Sequence, residues 1–72
     1  MDDPRSIRKG ISRERRLLRL KEAARYISLS PWKLRRLVQS GDLPIVTYHP
    51  NAPWLIDIRD LDAWVERSKQ TL

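Results

Sequence analysis

The 72-residue chain has no cysteine and a single histidine, His49. The first absence removes disulfides, thiolate zinc sites and thiol nucleophiles together. One imidazole cannot build a histidine metal cluster, so no metal and no cofactor are expected. No apolar run approaches the roughly 20 residues of a membrane span. The opening Met1-Asp2-Asp3-Pro4 lacks an apolar h-region, so neither a membrane anchor nor a secretory signal is expected. A chain this short buries only about 60% of the surface it exposes when unfolded. Core, catalytic cleft and cofactor pocket would compete for the same few side chains, so an enzyme is not expected and no catalytic residue is assigned. Asp57, Asp60 and Asp62 could be read as paired carboxylates, but helix capping and surface charge account for them better.

Acidic residues are also in short supply. Fifteen Lys and Arg face nine Asp and Glu, for a net charge of +6, and eleven of the cations are Arg. Arg suits phosphate and guanine because its planar fork donates two parallel hydrogen bonds. Residues 1–40 carry twelve cations and four anions, whereas residues 41–72 carry three cations and five anions. A basic half joined to a mildly acidic half points to nucleic acid as the partner of the first.

Residues 1–16 read as a basic arm holding Arg5, Arg8, Lys9, Arg13, Arg15 and Arg16, with Ile7 and Ile11 as its apolar residues. Such a stretch cannot bury enough surface to offset its ordering entropy. Its deletion is therefore expected to leave stability unchanged. The folded part is expected over 17–69, with a tail at 70–72.

Leu20, Ala23, Ala24 and Ile27 fall at helical spacing and predict a short first helix. A longer helix from Ser12 competes, because Leu17 lies on the same face. Ser30-Pro31 starts a second helix, with Ser as N-cap and Pro at the first position. It runs over Pro31–Ser40, buries Leu34, Leu37 and Val38, and stops at Gly41. Leu29 is expected to plug the angle between the two helices, the helix-turn-helix pattern.

Ile45–Tyr48 and Trp54–Ile56, separated by His49-Pro50-Asn51-Ala52-Pro53, predict a hairpin. Val46, Tyr48, Trp54 and Ile56 have the parity to share one face. Asp57 caps a last helix ending near Lys69, with Ile58, Leu61, Trp64 and Val65 inward. Trp54 and Trp64 are read as core. The fold class is thus mainly α with a small β-hairpin, a winged helix-turn-helix.

On a helical wheel, Trp32, Arg36 and Gln39 point away from the buried stripe, flanked by Lys33 and Arg35. Arg can read guanine, Gln can read adenine, and the remaining cations can hold phosphates. Ser30 opens the helix terminus that could clamp the backbone. These six residues form the main predicted DNA-binding set. Weaker contacts are assigned to Arg13, Arg15, Arg16 and Arg19 before and at the first helix. Thr47, His49 and Asn51 join them from the wing, whose tip carries no Lys or Arg.

Three segments carry a resemblance. Leu17-Leu18-Arg19-Leu20-Lys21-Glu22-Ala23-Ala24-Arg25-Tyr26-Ile27 resembles the opening of the excisionase and MerR-like winged-helix family. Ser30, Arg36, Leu37 and Ser40-Gly41-Asp42-Leu43-Pro44 are similar to its recognition-helix segment, and Asp60-Leu61-Asp62-Ala63-Trp64 to its closing motif. The chain departs from the pattern at Arg19, where a Ser or Thr usually caps the first helix. It departs again at Trp32-Lys33, where a small polar pair is common, and in a wing without the usual Gly and Arg.

The resemblance implies a second helix in the major groove and a wing over Ile45–Ile56. It also implies a bacterial, cytoplasmic excisionase, or recombination directionality factor, of a mobile element such as a prophage. Such a protein binds attachment-site DNA in several copies, bends it and directs a tyrosine-type integrase towards excision. Copies are expected to associate head to tail on DNA and to be monomers off it. A small transcriptional regulator on the same fold is the second reading, and a protein-interaction or DNA-packaging module the third. Full MerR regulators add a dimerisation helix and an effector domain, for which 72 residues leave no room.

Overall fold

The computed structural model describes residues 15–72. Its elements run β1 (Leu17–Arg19), α1 (Leu20–Tyr26), α2 (Pro31–Gln39), β2 (Leu55–Asp57) and α3 (Ile58–Ser68). Three helices and a two-stranded antiparallel sheet make it a mainly helical winged helix-turn-helix.

The helix ends follow from local chemistry. Ser30 caps α2, its hydroxyl accepting from the Lys33 N–H at 3.1 Å, and Pro31 stands where no N–H is needed. Past the far end of α2, Gly41 takes φ +89°, Asp42 N–H donates to the Leu37 carbonyl at 2.9 Å and Gly41 N–H to Val38 at 3.1 Å. This is a Schellman closure, and a glycine meets its positive φ without strain. The α1–α2 turn closes in the same way without glycine. Ser28 sits at φ 61°, Leu29 N–H donates to the Ala24 carbonyl at 2.9 Å and Ser28 N–H to Arg25 at 3.2 Å. That bond fixes Leu29 at the angle between the helices, where it is half-buried.

Arg19 precedes α1 at the cap position, and its side chain has no acceptor to offer. Glu22 compensates from the third helical position by accepting from the Arg19 backbone N–H at 3.2 Å, half of a capping box. The same carboxylate accepts from the Arg15 guanidinium at 2.8 and 3.0 Å. The Arg15 bond, aided by the Arg19 amide, holds Glu22 below the usual carboxylate range.

The sheet corrects two expectations. β2 pairs with β1, in register Leu17–Asp57, Leu18–Ile56 and Arg19–Leu55. The expected hairpin partner, Ile45–Tyr48, forms no strand and touches β2 through a single bridge. There Val46 N–H donates to Leu55 O at 2.7 Å and Leu55 N–H to Val46 O at 2.9 Å. Pro44 and Pro53, which carry no N–H, flank the bridge and stop the ladder spreading. The bridge sets Val46 opposite Leu55, one residue away from the expected parity, and such a slip turns side chains to the other face. Accordingly Ile56 is fully buried, whereas Val46 and Tyr48 are 42% and 73% exposed. Ile45 packs against the core in place of Val46.

Leu34, Leu43, Ile56 and Leu61 fill the centre, with Leu18, Ala23 and Ala24 around them. Leu20, Ile27, Leu37, Val38, Ile58 and Trp64 pack on this cluster from outside. Two alanines on α1 let the helices approach closely, and this explains the Ala-Ala pair of the motif. Trp54, expected in the core, is half-buried and lies outside that cluster.

The domain also begins earlier than the sequence predicts. Arg16 Nε donates to Asp57 Oδ2 at 3.0 Å, and the Arg16 carbonyl accepts from Ile58 N–H at 2.8 Å. Asp57 in turn caps α3 by accepting from Arg59 N–H at 2.8 Å. That amide, followed by the Arg16 side chain, keeps the Asp57 carboxyl below its ordinary value. Arg15 and Arg16 thus contact the folded body, and deletion of 1–16 would remove the acceptor of the Ile58 N–H and the ion pair of Asp57, while leaving the Asp57 cap of α3 in place. The remainder of the predicted arm, including Arg13, lies outside the described residues.

Candidate nucleic-acid interface

The outward face of α2 is built as its sequence dictates. Leu34 is fully buried and Leu37 and Val38 pack behind it, so Trp32, Arg36 and Gln39 on the opposite side are exposed. Lys33 and Arg35 flank them, both exposed. Trp32 leaves 61% of its surface in solvent. The Arg36 guanidinium carbon lies 4.9 Å from its ring centroid, a cation–π contact within one helix face. Trp32, Arg36, Gln39 and Ser40 line a shallow depression of about 480 Å³.

Two further concavities border this face. On the α3 side, Leu29, Leu37 and Trp64 join Trp32, Lys33 and Arg36 around an open groove of about 350 Å³. On the wing side, Arg35 stacks on Trp54 at 4.9 Å. Here Arg19, Lys21, Arg35 and Trp54 line an open hollow of about 530 Å³. Sequence reasoning missed Lys21 and Trp54 as members of this surface. No local signal marked Trp54, which stands among Ala52, Pro53, Leu55 and Ile56 in sequence.

The remaining predicted positions divide. Ser30 is exposed and occupied as a cap. Arg15 and Arg16 are tied to Glu22 and Asp57 at 2.8 and 3.0 Å, while Arg19 faces the wing-side hollow. In the wing, Thr47 Oγ1 donates to the His49 carbonyl at 2.9 Å, and His49 Nδ1 accepts from Asn51 N–H at 3.1 Å. All three are exposed, but these bonds serve the turn itself.

The opposite character appears on α3. Asp62 accepts from the Tyr26 hydroxyl at 2.8 Å, a bond that raises the tyrosine pKa, and Glu66 pairs with Lys69 at 3.0 Å. Arg67 reaches back to the Asp42 carbonyl at 2.6 Å and ties α3 to the turn after α2.

The family model of a helix-turn-helix domain matches residues 17–69. The chain belongs to that family. No curated protein and no solved structure shows a match. This helix-turn-helix protein is therefore a DNA-binding protein. Among the described residues, no helix is long and apolar enough to cross a membrane, and no group of three or more potential metal ligands occurs.

Proposed function

We propose that this helix-turn-helix protein is an architectural, excisionase-type DNA-binding protein. In this reading α2 enters the major groove. Arg36 and Gln39 reach base edges, while Lys33, Arg35 and Arg19 hold phosphates. The carrying observation is the α2 face itself. Three cations, an amide and a largely exposed indole share one side of a helix whose other side is locked into the core.

The excisionase role draws on the Glu-Ala-Ala, Gly-x-Leu-Pro and Asp-Leu-Asp-Ala-Trp segments and on charge segregation. Asp60, Asp62 and Glu66 outnumber Arg59 and Arg67 on α3, whereas α2 carries Lys33, Arg35 and Arg36 and no acid. A copy bound beside another can set its acidic helix against its neighbour's basic edge. Such a head-to-tail contact does not close and therefore propagates along DNA. Exposed ion pairs contribute at most about 1 kcal/mol each, so the free protein is a monomer and binding to arrays is cooperative. The bent array then supports a tyrosine-type integrase in excision.

The test is excision of an attachment-site substrate by the integrase of the same element, with and without this protein, alongside a bending assay. Excision should depend on the protein. Glu66→Lys should reduce cooperativity and leave single-site binding intact. Independent occupancy of adjacent sites, or a stable two-fold dimer in solution, would count against this reading.

A further inference from the structure

We propose that the hollow between α2 and the base of the wing is a seat for a DNA backbone phosphate, with Trp54 positioning Arg35 for it. The proposal rests on the reading that α2 is the DNA-contacting helix, and it divides the labour of that helix between two adjacent arginines.

Consecutive side chains on a helix diverge by about 100°. Arg36 lies over Trp32 of its own helix, whereas Arg35 turns to the wing side and lies over Trp54, 4.9 Å from the ring centroid. Trp54 reaches that place because β2 starts at the next residue, Leu55, which is fixed by Arg19 on one side and Val46 on the other. The stack therefore joins the recognition helix to a segment remote in sequence. A guanidinium held over an indole face still has N–H groups to donate, and its fork is pre-organised so that little side-chain freedom is lost on bonding an anion.

The surroundings select the ligand. Arg19 and Lys21, both exposed, line the same hollow as Arg35, and Pro31 and Pro53 form stiff walls without N–H groups. None of the described residues lining it is acidic. Arg15 and Arg16 are paired with Glu22 and Asp57, but among the described residues Arg19, Lys21 and Arg35 form no ion pair. Three like charges around one hollow repel until an anion sits among them. The hollow borders the α2 face, so the anion that reaches it as that face meets a duplex is a backbone phosphate. Contacts of this kind carry no sequence information. Arg35 thus adds affinity for every duplex, and Arg36 adds discrimination.

The experiment measures binding of the full chain to a random-sequence duplex across a KCl series, with thermal unfolding of each variant as the control. Each lost phosphate contact should lower the slope of log affinity against log salt by about one. Arg35→Ala and Lys21→Ala should each show that loss. Trp54→Leu keeps bulk but removes the aromatic face, so it should weaken binding and flatten the slope. Trp54→Phe should restore both. Trp54→Leu combined with Arg35→Ala should lose little more than Arg35→Ala alone, because one acts through the other. An unchanged slope for folded Arg35→Ala and Lys21→Ala, in a protein that still binds duplex, overturns the phosphate seat. Fully additive losses in the double variant overturn the positioning role of Trp54. Failure of the unaltered protein to bind any duplex would instead overturn the DNA reading of α2, on which the seat depends.

Discussion

The second helix, α2, and the wing are neighbours with opposite constructions. α2 is fixed by signals within itself: a Ser-Pro start, three inward aliphatics and a glycine exit at φ +89°. The wing is held by the Val46–Leu55 bridge and by side-chain bonds within its own tip. At that tip Tyr48 is 73% exposed. The proposed role of α2, presenting side chains to a duplex at fixed spacing, needs a rigid bed, and α2 has one. Residues 47–53 at the wing tip contribute nothing to the buried cluster, so they can change at little cost to the fold.

The sharpest way to break that contrast is at the bed. Leu34→Ala should cost about 2–5 kcal/mol of stability, because the site is fully enclosed and cannot collapse around the lost atoms. Tyr48→Ser, in the wing, should stay within about 0.5 kcal/mol. Chemical denaturation of both variants decides it, and equal losses would mean that the wing is as integral as the helix.

Two smaller changes test the helix ends. Ser30→Ala removes the acceptor for Lys33 N–H and should cost about 1 kcal/mol in the same assay. Ser28→Gly relieves a side chain held at φ 61° and should leave stability unchanged or raise it by up to about 1 kcal/mol. Loss of stability there would mean that the Ser28 side chain has a role beyond the turn.

The last difference concerns acid. Asp57 and Glu22, which start α3 and α1, both have carboxyls held below their ordinary values by amide and guanidinium donors. A lowered folded pKa adds stability above the unfolded value and loses it as pH falls through the folded one. Unfolding midpoints should therefore drop on acidification below the ordinary carboxylate range. Asp57→Asn should flatten that dependence.

The same contrast governs what the sequence revealed. α1, α2 and α3 were legible because caps, glycine and apolar spacing are local. β1 was not, since three residues carry no period and their partners lie on the far side of both helices. The wing was placed correctly, but its pairing slipped by one because Pro44 and Pro53 limit it to one bridge. Ser28 escaped notice because a left-handed serine has no distinctive sequence mark. The exposed α2 face followed from the wheel alone. The Arg35–Trp54 stack did not, since it depends on where the chain returns, and a tryptophan beside aliphatic residues reads first as core.

The central claim is that the outward face of α2 reads DNA. The direct measurement compares affinity for a duplex selected from a random library with affinity for unselected duplex, for the unaltered chain, Arg36→Ala and Gln39→Ala. Each substitution should remove about 1–3 kcal/mol of that discrimination, with the unfolding midpoint unchanged because neither side chain touches the core. Full discrimination retained by a folded protein lacking both side chains would contradict the account.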